Sequence, residues 1–274
     1  MGATGQCLAR AHTEQGIVSL NYGLFTAIAL DPIEKKPLFH FYPGTKILSV
    51  GSFGCNLNCP FCQNWQIARN QQVQLRELSP EQLVELALAV EKQGSIGVAF
   101  TYNEPLIGIE YLQDTLPLLK EAGQKTVLVT NGMINKPYLE SIVGWVDAVN
   151  LDIKSFSPDF YSTVVGGKLE TVLENGICFK ENSVHLEITT LLIPGLTDDL
   201  EQIEELARWI NTALGSETPL HLSRYFPNYQ LDKPPTSLDR LKEGVDLARR
   251  YLKHVYAGNA PELGEKYTKY KFNG

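Results

Sequence analysis

The chain has 274 residues, 43% of them hydrophobic, and its 24 basic against 31 acidic side chains leave a formal charge of −7. That length can bury a sizeable core in one large or two small domains, while the acidic balance argues against a general nucleic-acid binder. No apolar run approaches the roughly 18 residues of a membrane span, and the N-terminal MGATGQCLARAHTEQG has no apolar h-region, so a cytoplasmic protein with no membrane partner is expected.

In chain order, residues 17–50 read as β-rich, with DPIEKKP (31–37) a turn bounded by prolines. From KILSV (46–50) a strand–helix rhythm sets in. SPEQLVELALAVEKQG (79–94) predicts a helix, with Ser79 and Gln82 as a capping box and Gly94 as its stop. GVAF (97–100), TVLVT (126–130), AVNLDIK (148–154), VHLEITTLLI (184–193), PLHLSRY (219–225) and HVYAG (254–258) predict strands. Helices are expected over 105–123, 136–144, 168–181, 198–214 and 237–254. Strand and helix alternate about six times, which predicts a parallel α/β sheet. The strands are apolar on both faces, as in a sheet covered on both sides. Periodicity does not separate an open Rossmann sheet from a full or partial barrel.

In parallel α/β folds, functional residues collect where strands run out into the following loops. Here the unusual residues fall there repeatedly. A cysteine loop follows KILSV; Tyr102, Asn103 and Glu104 follow GVAF; Thr130, Asn131 and Gly132 close TVLVT; Asp152 and Lys154 end AVNLDIK. Bland roles stand beside the functional ones. Asn103 is placed to cap the helix beginning near Pro105, Asn131-Gly132 is a turn sequence, and Asp152 with Lys154 would make a structural ion pair on one strand face. His40, His185 and His221 have no ligand spacing and read as structural. Cys178 reads as a core residue.

Five cysteines, at 7, 55, 59, 62 and 178, are an odd number, and three of them crowd into GCNLNCPFCQNW (54–65). That pattern favours metal binding or catalysis over disulfides. Structural zinc and electron-transfer iron–sulfur clusters normally take four protein ligands, and this loop supplies three. A [4Fe–4S] cluster with one iron left open is the remaining reading, with Phe61 shielding it. The alternative is a non-catalytic zinc or iron–sulfur module for electron transfer or interaction. A dinucleotide oxidoreductase lacks its G-x-G-x-x-G here.

Cys55-x3-Cys59-x2-Cys62, with an aromatic before the last cysteine, resembles the signature of the radical S-adenosylmethionine (SAM) superfamily. GCNLNCPFCQNW, TYNEP, TNG, LDIK and IPGLTDD follow the order seen in enzymes similar to pyruvate formate-lyase activase, and the stretch from ALDPIEKKPLFHFYPGTKILSVGSFGCN to CPFCQNW (29–65) most closely resembles radical SAM enzymes of the AmmeMemoRadiSam system. The resemblance covers about residues 5 to 260. It implies a partial (β/α)6 TIM-like barrel over 45–274 behind a short β-rich extension over 1–44. It implies a cluster on Cys55, Cys59 and Cys62. SAM would chelate the open iron and be cleaved reductively to a 5′-deoxyadenosyl radical, which abstracts hydrogen from an unidentified substrate, a protein among the candidates. Tyr102, Asn103 and Glu104 would approach the SAM amino group, Thr130 and Asn131 would lie beside it, Asp152 and Lys154 would contact SAM, and Ile193 would pass its backbone along the adenine. A flavodoxin or ferredoxin is the expected electron donor. Val129 stands where the activases place an Asp, so their monovalent cation site is not expected, and Phe226 replaces an activase His. Related enzymes carry an upstream Cys-rich segment; GQC (5–7) looks like its last piece, so the start is expected to be truncated or the module lost.

Overall fold

A computed structural model describes residues 2–70 and 74–268. The chain opens with a hairpin, β1 (Arg10–Thr13) and β2 (Gly16–Ser19), then β3 (Leu24–Phe25) and β4 (Ala27–Pro32). After β5 (Lys46–Gly51) come the cysteine loop, α1 (Trp65–Ala68) and β6 (Arg76–Glu77). The regular alternation follows: α2 (Pro80–Val90), β7 (Ser95–Phe100), α3 (Ile109–Glu121), β8 (Lys125–Thr130), α4 (Lys136–Glu140), β9 (Ala148–Asp152), α5 (Pro158–Phe160), α6 (Leu169–Glu181), β10 (His185–Leu192), α7 (Leu200–Trp209), β11 (Leu220–Arg224), α8 (Leu238–Ala248) and β12 (Val255–Gly258).

Eight strands make one sheet in the order β12-β11-β10-β9-β8-β7-β5-β4. All pairs from β5 to β12 are parallel, and β4 lies antiparallel against β5. Six strand–helix units ending in β12 give the partial (β/α)6 barrel, with β4 and β12 as its two edges. Local chemistry sets the element ends. The Ser79–Gln82 capping box forms at the start of α2, and Gly94 takes the left-handed conformation that ends that segment.

The strand faces turned to the helices, together with the inner faces of α2, α3 and α6 to α8, build the main apolar core. A strap over residues 33–41 closes the other side. Its Ile33, Leu38 and Phe41 pack on Ile47, Ala99, Val127 and Ala148 of the strands. Glu187 on β10, 0% exposed, holds the strap: it accepts the N–H groups of Phe39 (3.0 Å) and His40 (2.7 Å). His185 (2.9 Å) and His221 (2.7 Å) meet the same carboxylate, so both histidines are structural. With one end plugged, the lumen opens at the carboxyl ends of the strands.

Candidate active site

At that open end the cysteine loop leaves β5 and is held from several directions. The Cys55 N–H donates to the Cys7 carbonyl (3.1 Å), the Asn58 N–H to that of Val165 (2.7 Å), and the Gln230 N–H to that of Pro60 (2.9 Å). Gly54 adopts φ +89°, and a Cβ there would stand 2.4 Å from the Cys7 carbonyl oxygen, so only glycine lets the N-terminal segment approach. Trp65 stacks on Tyr229 at 5.1 Å. All five cysteines are free thiols. Burial pushes the Cys55 thiol up to about 12 and Cys59 up to about 11, so both are protonated until something ligates them.

The TYNEP turn does more to grip this loop than to cap a helix. The Asn103 side-chain oxygen accepts from the Ser52 N–H (2.9 Å), and its NH2 donates to the Phe53 (3.2 Å) and Gly54 (3.1 Å) carbonyls. The N-cap before Pro105 is instead Glu104, whose carboxylate accepts from the Leu106 N–H at 3.0 Å. Glu104, 2% exposed, also accepts from the Thr130 hydroxyl (2.6 Å) and the Asn131 N–H (2.8 Å). Burial raises its carboxyl to about 7, against the lowering effect of those hydrogen bonds. Tyr102 sits at φ +70°, and its carbonyl accepts from Asn64 (2.7 Å).

Asn131 in turn points its NH2 at Asn56 (2.9 Å) and at the Cys55 sulfur (3.7 Å). Asp152 and Lys154 form an ion pair at 2.9 Å. Burial works against the Lys154 ammonium, but the Asp152 carboxylate beside it outweighs that and holds its pKa above the ordinary value.

A single cavity of about 380 Å3 collects these groups: of the eleven residues expected from sequence, ten line it, including all three loop cysteines. Ile193 stands off the cavity. It is fully buried, its N–H donates to the Thr197 hydroxyl (2.8 Å), and its carbonyl accepts within its own turn, while Leu191 supplies the lining instead. Asn56, Asn64 and the Cys7 carbonyl were not anticipated from sequence. The first two lie inside the cysteine motif, at positions whose spacing carries no signal beyond a polar loop, and Cys7 is brought in by the hairpin.

The donor set suits a thiolate-bound cluster. Three thiols face one cavity, yet among the described residues no three Cys, His, Asp or Glu side chains converge as a single metal ion requires. A four-iron cluster takes each thiolate on a different iron, so its ligands surround it rather than meet at a point.

Fold and site together define a partial-barrel protein whose first βα loop turns three thiols toward the open end. A family model of the radical SAM superfamily matches residues 49–210. Over 264 residues the chain is 39% identical to a Methanocaldococcus jannaschii protein called uncharacterized, an alignment spanning 95% of this chain and 78% of that one. It is 34% identical over 161 residues to the pyruvate formate-lyase-activating enzyme of Clostridium pasteurianum, which spans 57% of this chain and 66% of that enzyme. Streptococcus suis SuiB bound to S-adenosylmethionine shares the fold, with a TM-score of 0.63 at 16% identity over 83% of this chain and 55% of SuiB. The chain belongs to the radical SAM superfamily. It is an enzyme, and its cofactors are those of the family, a [4Fe–4S] cluster and SAM.

Proposed function

We propose that Cys55, Cys59 and Cys62 hold the cluster and that SAM lies across the rim formed by Tyr102–Glu104, Thr130, Asn131, Asp152 and Lys154. The observation that carries this reading is the convergence of the cysteine loop with the ends of β7, β8 and β9 on one cavity. When bound, the cluster and SAM supply a 5′-deoxyadenosyl radical that abstracts a hydrogen atom from substrate. The protein's part is placement. Asn103 fixes the loop, Glu104 pins the turn after β8 to it, and Asn131 sets Cys55. The Asp152–Lys154 pair offers SAM one group of each charge. Leu57 and Phe61 give the cavity apolar lining beside the thiols. Ile193 would reach the adenine through the turn above Leu191.

The substrate is read as a protein or peptide, because relatives in the alignment are pyruvate formate-lyase-activating enzymes. A flavodoxin or ferredoxin would supply the electron. Residues 1–44 act as an extension that closes the barrel over 45–274. No helix among the described residues is long and apolar enough to cross a membrane, and five free thiols suit the reducing cytoplasm.

Anaerobic reconstitution with iron and sulfide tests the reading directly. The reduced protein should show an EPR signal that shifts on adding SAM, with 5′-deoxyadenosine formed in the same tube. A metal site indifferent to SAM and no 5′-deoxyadenosine would rule it out.

A further inference from the structure

Beneath the rim residues assigned above to the cofactors, the lumen has a charged floor. Lys36, carried on the strap, is 3% exposed; its Nζ lies 2.9 Å from Asp31 Oδ2 and 4.6 Å from the centre of the Tyr102 ring. The other oxygen of Asp31 meets Lys35 at 3.3 Å, and the Tyr102 hydroxyl donates to Asp31 Oδ2 at 2.7 Å. Both lysines line the cavity. Two ammonium groups against one carboxylate (two minus one) leave the floor with one positive charge in excess. The Asn150 amide, donating to the Pro37 carbonyl at 2.9 Å, fixes the strap two residues below Asp152 on β9. Asn150, Thr189, Ser223 and Asn259 line the same space and add no charge.

An ammonium carries three donors, and among the described residues Lys36 uses one, toward Asp31. Burial draws Lys36 below its ordinary value even with Asp31 beside it. The buried cation is thus incompletely compensated and gains from a further anion. The SAM amino and carboxylate groups belong to the rim in the reading above, so that anion is not SAM's own. A monoanion matches the single excess charge; a phosphate dianion would over-neutralise it.

We propose that Lys36 and Lys35 form a subsite for a carboxylate of the substrate, anchoring it on the lumen floor so that its C–H bond faces the rim. The inference rests on the radical SAM reading for the place of the chemistry, and its test is read by binding rather than turnover. N-acetylglycine, N-acetylglycinamide and inorganic phosphate would be titrated into the reconstituted, SAM-loaded protein, followed by NMR line broadening of the acetyl methyl group and, for phosphate, of phosphorus. The carboxylate probe should bind and the amide should not. Lys36→Met should weaken the carboxylate at least ~10-fold and Lys35→Met about threefold, the loss expected for one buried or one exposed charge-assisted contact. Asp31→Asn should tighten it, because the floor gains positive charge, an effect that mere structural support would not produce. That variant and Lys35→Met keep the test open if Lys36→Met does not fold.

Equal binding of the amide, phosphate bound more tightly than the carboxylate, or no change in Lys35→Met and Asp31→Asn would overturn the subsite. Protein that makes 5′-deoxyadenosine yet ignores N-acetylglycine removes the subsite alone. Protein that makes none removes the functional reading, whatever the probes do.

Discussion

In the proposed reading, Cys59 and Asn131 divide the work between ligation and tuning. Cys59 is buried against the apolar core and faces the cavity. Cys59→Ala removes one of the three proposed ligands, and the reconstituted variant should lose the cluster; iron analysis retaining about four irons per chain would contradict the ligand assignment. Because Cys55 and Cys59 are held protonated by burial, cluster assembly must release protons, and its extent should rise with pH. Asn131, outside the proposed ligand set, aims an N–H at the Cys55 sulfur. Hydrogen bonds to cluster sulfurs raise the reduction potential, so Asn131→Ala should lower it, as an EPR redox titration would show; an unchanged potential would make Asn131 a turn residue only.

At the scale of the element, close packing of strands and the strap position the site. β7 passes β8 at Gly97, where a Cβ would stand 1.9 Å from the Lys125 carbonyl oxygen. Gly97→Ala must part the two strands that carry the TYNEP and TNG turns, and a loss of about 3 kcal/mol is expected; urea denaturation with an unshifted midpoint would refute the contact. The strap depends on Glu187. Burial alone would raise its carboxyl, but hydrogen bonds from His185, His221 and the Phe39 N–H outweigh that and hold it well below the ordinary 4.5. The unfolded chain therefore binds the extra proton first as pH falls through 4.5, so this stabilisation is complete above that value and is lost toward the lower, folded-state value. Glu187→Gln should cost about 3 kcal/mol at neutral pH, with the gap to the unaltered protein closing in acid. A gap constant from pH 7 to about pH 3 would mean that the ionised carboxylate is not what holds the strap.

Over the whole molecule, the sheet leaves β4 and β12 unpaired with each other, while the N-terminal hairpin docks on the outside. Arg10 joins it to α3 through Glu110 (2.7 Å) and the Ile107 carbonyl (2.8 Å). One cavity therefore depends on residues from 7 to 259, and filling it should stabilise the fold as a unit. SAM at a hundredfold its dissociation constant contributes about 2.7 kcal/mol, which for a chain of this size raises the melting midpoint by about 5 °C or more. Calorimetry of the cluster-loaded protein that shows no rise with SAM would detach SAM from this site.

Much of this was legible in the linear chain, for a physical reason: strand and helix periods, capping boxes and a three-cysteine spacing are local patterns that chemistry reads within a dozen residues. The alternation from residue 46, the Ser79–Gln82 cap, the cysteine loop and the strand-end rim all belong to that kind. The tertiary structure decided what depends on distant partners. Asn103 left helix capping for the cysteine loop because Ser52, Phe53 and Gly54 present backbone groups that only the fold brings to it. Residues 33–41, read as part of a β-rich segment with a turn over 31–37, became the floor of the barrel instead because Glu187, about 150 residues on, supplies the carboxylate that satisfies the Phe39 and His40 N–H groups. Asp31 and Lys36 carry no sequence spacing that links them to Tyr102 in the TYNEP turn. Their common charge balance exists only where the edge strand, the strap and the TYNEP turn meet around one lumen.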